Sequence, residues 1–228
     1  SVSIRMRRKV AFDFADYGVS DEIATILVDV VQNSGNIMIS GGTSSGKTTF
    51  FNKLIEYIPL ENRVLTVEDT REVYLPHKNQ CNYILSRNEE KPVIGYKEMI
   101  DHMMRSRPDS ILVGELSIAN TFPIIRLLNS GHGGFICSLH SNSPQQAIEV
   151  TIPQNVQLSG FNPAGIDEFL YEAIDVVVQL HRVGQKRYMT EVMYPKLGKS
   201  KKLFKDEVSD NIINKSHVKT DNVVRLDT

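Results

Sequence analysis

Cysteine is scarce in this chain: only Cys81 and Cys137 occur among 228 residues, and they form no CxxC pair. That excludes a disulfide framework and a four-cysteine zinc module, and both read as ordinary buried side chains in a reducing compartment. Neither sign of charge is in excess, with 26 Lys plus Arg against 27 Asp plus Glu. The summed field therefore gives no reason for non-specific nucleic-acid binding, although a local basic groove stays open. Tryptophan is absent. No apolar run approaches the roughly 18 residues of a membrane span, and no charged-then-apolar leader is visible, so the chain reads as soluble and not exported. An initiating methionine is lacking as well, and a domain upstream of Ser1 is allowed for. What is present, 41% hydrophobic against 23% charged residues, is an ordinary globular balance.

Along the chain, SVSIRMRRKV is too short for a domain and reads as an incoming strand or linker. From Asp21, the residues Ile23, Ile26, Leu27, Val30 and Val31 recur at helical spacing, with Ser20 or Asp21 as cap and Gly35 as stop. A strand over 36–40 then runs into a glycine-rich turn, and a helix over 47–57 closes before Pro59. Further β-like runs are expected at 63–67, 83–86, 111–113, 135–139 and 175–180, with helices over 96–104 and 119–129 between them. This alternation predicts an α/β fold with a mainly parallel sheet covered on both faces. The run 187–192 alternates and suits an antiparallel edge strand, whereas 196–228 is polar and lysine-rich and reads as a peripheral tail. The expected division is a linker over 1–10, a core domain over 11–195 and that tail.

The turn itself is GGTSSGKTT, residues 41–49. Gly41, Gly46, Lys47 and Thr48 meet the pattern G-x-x-x-x-G-K-[ST], in which successive backbone N–H groups and a helix N-terminus face an anion. With glycine at about 7% of residues, a chance match in a chain this long is on the order of one in a hundred. Lys47 would reach the β- and γ-phosphates and the Thr48 hydroxyl would ligate Mg²⁺. The loop residues Gly42, Thr43, Ser44 and Ser45, together with Thr49, complete the candidate ATP site.

Three further segments carry titratable groups. In MMRSRPDSILVGELS an apolar strand ends at Gly114-Glu115, which places a carboxylate at the C-terminal edge of a parallel sheet, where ligands of open α/β folds sit. Glu115 is the candidate for orienting or deprotonating an attacking water; a strand-end glutamate facing solvent is the alternative. Asp109 precedes that strand and reads as a turn residue after Pro108. In VEDTREV, Glu68, Asp69 and Glu72 could hold Mg²⁺ through water or position the nucleophile, and a charged loop would explain them equally well. In SGHGGFICSLHSNS, His132 and His140 flank a strand and cannot easily share a zinc ion; His140 could sense a terminal phosphate, and a structural role for either histidine is the alternative.

In this order the segments GGTSSGKTT, VEDTREV, RPDSILVGE and SGHGGFICSLH resemble the secretion ATPases of the type II and type IV secretion superfamily, most closely the VirB-type hexameric traffic ATPases. They match its Walker A loop, Asp box, atypical Walker B motif and His box, and the likeness runs from SIRMRRK to IDVVVQLHRVGQKRY. The resemblance implies a RecA-like domain in which Lys47 and Thr48 hold ATP and Mg²⁺. By the same likeness Glu115, Glu68 and His140 serve hydrolysis, and Asp69, with Glu72 beside it, serves the metal. It also implies a cytoplasmic homo-oligomer, a hexamer, peripheral at the inner membrane and docked on secretion-apparatus proteins. Family members have an N-terminal domain ahead of this core and use arginines near the linker; Arg5 is the match, with a solvated basic linker as the alternative.

Type II secretion and pilus ATPases fit less well, because the four-cysteine module is absent and RSRPD stands where many of them have QDPD. A P-loop kinase would need a lid, and the only candidate, 143–165, has no arginine to clamp phosphate. A RecA-like nucleic-acid motor finds no support in the neutral charge, and a nucleotide-gated module without turnover is the non-enzymatic alternative. Two departures from the family pattern stand out. Ser117 occupies a position where an arginine is common, and Ser44 replaces a glycine. Should the loop need a positive φ at Ser44, the serine would cost roughly 1 kcal/mol.

Overall fold

Ser20 is extended, and its Oγ accepts the Ile23 N–H at 3.5 Å; Asp21 and Glu22 follow in the first turn, where their charge suits the helix dipole. This starts α1 (Asp21–Gln32), whose Ile23, Leu27 and Val31 are buried. The computed structural model describes residues 12–85, 95–129 and 131–203; Arg5, the 1–10 linker, Ser86 and the tail beyond 203 lie outside them. Helix α1 leads through Gly35 to β1 (Ile37–Gly41), and the glycine-rich turn leads on to α2 (Lys47–Ile55). Then follow β2 (Val64–Glu68), β3 (Gln80–Ile84), α3 (Tyr96–Arg105), β4 (Ser110–Val113), α4 (Thr121–Leu128) and β5 (Phe135–Leu139).

A helical stretch opens with the short α5 (Pro144–Gln146), passes through a π turn (Ala147–Thr151) and closes with α6 (Ile152–Leu158). Pro153 explains the wide turn: it has no N–H to offer the carbonyl four residues back, and its ring crowds that carbonyl. Helix α7 (Ile166–Ala173) precedes β6 (Val176–Val183), β7 (Lys186–Tyr194) and β8 (Lys199–Lys202).

The eight strands form one sheet in the order β3-β2-β4-β5-β1-β6-β7-β8. From β3 through β6 neighbouring strands are parallel; β7 and β8 are added antiparallel. Helices cover both faces. On one, Ile37 and Ile39 of β1 and Val176 and Val178 of β6 meet Leu27 of α1 and Phe50 and Leu54 of α2. On the other, Met38, Ile111, Val113, Phe135 and Cys137 meet Met103, Ile124, Val156 and Leu170 from α3, α4, α6 and α7. Every residue of β1, β2, β4 and β5 is buried. Continuous apolar strands are what a two-sided parallel sheet requires.

The departures from expectation are local. The strand expected at 83–86 lies earlier, at Gln80–Ile84, at the sheet edge and paired in parallel with β2. Asp175, expected inside a strand, stands before β6, where its carboxylate accepts the Asn36 N–H at 2.8 Å and the Lys196 ammonium at 2.6 Å. Four residues of the lysine-rich segment pair as β8. Of the stretch 143–165 considered as a lid, Pro144–Leu158 is helical. Cys137 is buried, with its thiol pKa pushed up by that burial, but Cys81 is only partly buried. Among the described residues no helix is long and apolar enough to cross a membrane.

Candidate nucleotide site

The loop between β1 and α2 is held from inside and outside. From inside, the Lys47 ammonium donates to the carbonyls of Gly41 at 2.8 Å and Gly42 at 3.0 Å. From outside, the Tyr17 hydroxyl donates to the Gly46 carbonyl at 3.0 Å and the Arg187 Nε to the Ser44 carbonyl at 3.4 Å. Gly46 has φ 92, and a Cβ there would lie 2.0 Å from the Tyr17 hydroxyl, so both conformation and space demand glycine. Ser44 has φ 61, the left-handed conformation in which a serine is strained.

The C-terminal ends of β2, β4 and β5 bring the acidic groups and the imidazole to the same loop. Around a cavity of about 500 Å³ stand Thr43 to Thr49, Glu68, Asp69, Glu72, Glu115, His140 and Arg187. Lys47 Nζ is 3.3 Å from His140 Nδ1, and His140 Nε2 is 3.5 Å from Glu115 Oε1. An ammonium can only donate, so Nδ1 is the acceptor and the imidazole proton sits on Nε2, facing the carboxylate. Burial lowers the Lys47 pKa, and the charge of Glu115 partly opposes that shift.

The acidic loop is tied to the phosphate loop. Glu68 is buried, and its Oε1 accepts the backbone N–H groups of Glu72 and Val73, each at 2.7 Å. That turn brings Glu72 to the Thr48 hydroxyl, which donates to Oε2 at 3.1 Å. Asp69 is held by the Tyr96 hydroxyl from α3. Asn52 in α2 donates to the carbonyls of Thr48 and Glu72 and accepts the Tyr74 N–H, so it joins the helix to the acidic loop.

A similar frame holds Glu115. The Gly114 N–H donates to the Val67 carbonyl, Ser138 Oγ donates to the Gly114 carbonyl, and Asn120 Nδ2 donates to the Glu115 carbonyl at 2.9 Å. Ser117 has a structural place of its own: its carbonyl accepts the Asn120 and Thr121 N–H groups at the start of α4. Its Oγ is enclosed and has no hydrogen-bond partner among the described residues. Asp109 and His132 are not in this cavity. Asp109 accepts the Arg63 N–H at 2.7 Å before β4, and His132 precedes β5, at the other end of that strand from His140.

The loop thus offers a helix N-terminus, a buried ammonium and an enclosed Ser45 Oγ with no partner among the described residues, a donor set suited to a phosphate chain. For Mg²⁺, no cluster of three or more acidic, His or Cys groups is preassembled among the described residues. The Thr48 hydroxyl and the nearby carboxylates suit a cation that completes its shell from phosphate and water. Tyr17, Asn52, Tyr96 and Arg187 were not expected from the motifs; the conformational demand at Gly46 hints at close neighbours without naming them.

Fold and loop together define a RecA-like P-loop nucleotide-binding domain. The chain belongs to the Type II/IV secretion system protein family, whose model matches residues 1–187. It is 34% identical over 177 residues to the type IV secretion system protein VirB11 of Bartonella quintana (strain Toulouse), covering 76% of this chain and 50% of that protein. It is 29% identical over 203 residues to the conjugal transfer protein TrbB of Rhizobium radiobacter, covering 84% and 59%. Among solved structures it resembles the VirB11 ATPase of the Brucella suis type IV secretion system in complex with sulphate, with TM-score 0.68 and 31% identity over 78% of this chain and 53% of that one. The chain spans about half the length of the curated relatives it matches.

Proposed function

We propose that the protein is a Mg²⁺-dependent ATPase motor that powers macromolecular transport in a type IV secretion or conjugation system. The observation that carries this reading is the line Lys47, His140, Glu115 beside the phosphate loop. Phosphate binding alone is common to kinases, switches and motors. A carboxylate and an imidazole aligned with the loop lysine are what transfer of the terminal phosphoryl group to water calls for.

In this reading the loop N–H groups and Lys47 hold the β- and γ-phosphates, and Thr48, with Asp69 through water, holds Mg²⁺. The cation would neutralise charge on the phosphate oxygens. Glu115 orients the attacking water and accepts its proton. His140, with its proton on Nε2, contacts the terminal phosphate and steadies Glu115. Glu68 acts at one remove: its bonds to the 72–73 backbone shape the turn that sets Glu72 beside Thr48. The likeness to VirB11 and TrbB supports a hexameric ring on the cytoplasmic side of the inner membrane, docked on secretion-apparatus proteins.

The test is Glu115→Gln in the full-length protein, with binding and turnover measured separately. ATP affinity is expected to stay within about twofold while hydrolysis falls by about 100-fold or more. Unchanged turnover would remove Glu115 from the mechanism.

A further inference from the structure

The groups assigned to the terminal phosphate all stand on one side of the loop. Glu68 ends β2, Glu115 follows β4 and His140 follows β5, and these three strands are consecutive in the sheet up to β1, which carries the loop. A nucleotide held by the loop with its terminal phosphate toward them would extend its nucleoside the other way, toward β6 and β7. On that side the cavity wall includes the side chain of Arg187, the second residue of β7.

Two contacts fix where that side chain lies. Its Nε donates to the Ser44 carbonyl, and its Cδ packs so close over Gly46 that a Cβ there would approach it to 2.6 Å. The Ser44 carbonyl repels phosphate oxygens, so the guanidinium edge that it holds is not free for a phosphate. The Nε bond uses an edge of the guanidinium, in its plane, and Arg187 is exposed. Tyr17, the other neighbour of Gly46, is 2% exposed and has no free face to offer. A flat, weakly hydrated cation at the mouth of the cavity suits an aromatic base.

We propose that Arg187 is the nucleoside-end residue of the site, anchored on the Ser44 carbonyl and packed by its guanidinium plane against the base of the bound nucleotide. The assignment rests on the nucleotide reading above. It separates Arg187 from the phosphate-binding groups and makes it a determinant of preference for a nucleotide over a bare phosphate chain.

The test is titration of the full-length protein, with Mg²⁺, against ATP, ADP and inorganic tripolyphosphate, for wild type, R187A and R187K. In R187A, ATP and ADP should each bind about tenfold more weakly, while tripolyphosphate affinity stays within about twofold of wild type. R187K retains the charge but has no flat face, so it should stay close to R187A for ATP. An equal loss of tripolyphosphate affinity would overturn the proposal, because Arg187 would then be bracing the loop or holding phosphate. Full recovery of ATP binding in R187K would overturn it too, since charge alone would be enough. Wild-type protein that binds tripolyphosphate but prefers neither ATP nor ADP over it would sink the nucleotide reading itself, a result visible before any variant is made.

Discussion

At Ser44 the chain adopts φ 61 with a side chain that disfavours it, in a loop whose neighbours at Gly41, Gly42 and Gly46 are all glycine. The strain is on the order of 1 kcal/mol, and its carbonyl is the one that Arg187 holds. Ser44→Gly should therefore raise the stability of the folded chain by up to about 1 kcal/mol, less the extra freedom that glycine gives the unfolded state. Urea unfolding of the two proteins checks this, and a lower midpoint in the glycine variant would show that the serine is not strained. Single residues also mark how far motif reading reaches. Gly41, Lys47 and Thr48 could be singled out from one short pattern with its own chemistry, whereas Glu115 and His140 were singled out over their alternatives only with the family resemblance beside them. Arg187 and Tyr17 were not: their partners lie 143 and 29 residues away in sequence, and nothing local to either records the contact.

Among the elements, β1, β2, β4 and β5 were readable because burial on both faces leaves an apolar run that few other structures tolerate. Edge elements were harder. Strand β3 is exposed at both ends, and β8 is the run KSKK, which carries no apolar side chain and whose place in the sheet comes from pairing with β7. Short α7 carries its apolar positions in barely two turns, too few for a period to stand out. At this scale the acidic loop and α2 behave as one unit through Asn52, which bonds to Thr48, Glu72 and Tyr74. Asn52→Ala should loosen that unit and weaken binding of ATP in the presence of Mg²⁺ by several-fold, with a much smaller effect in EDTA, since the carboxylates matter most when the cation is present. Equal weakening with and without Mg²⁺, measured by calorimetry, would mean that Asn52 supports the helix alone.

For the molecule as a whole, the proposed motor should assemble when nucleotide is bound. Size-exclusion chromatography with light scattering on the full-length protein is expected to give a hexamer with ATP and Mg²⁺; a monomer under all conditions would argue for a nucleotide-binding module or a kinase-like enzyme instead. How assembly reaches the loop bears on Phe12, Phe14 and Tyr17, which pack on Phe50 of α2, with the Tyr17 hydroxyl held by Gly46. The segment Phe14–Tyr17 thus touches both β7 and the phosphate loop. It is mechanically coupled to the nucleotide site: a shift of the loop at Gly46 is passed through the Tyr17 hydroxyl to the three aromatic rings packed on Phe50.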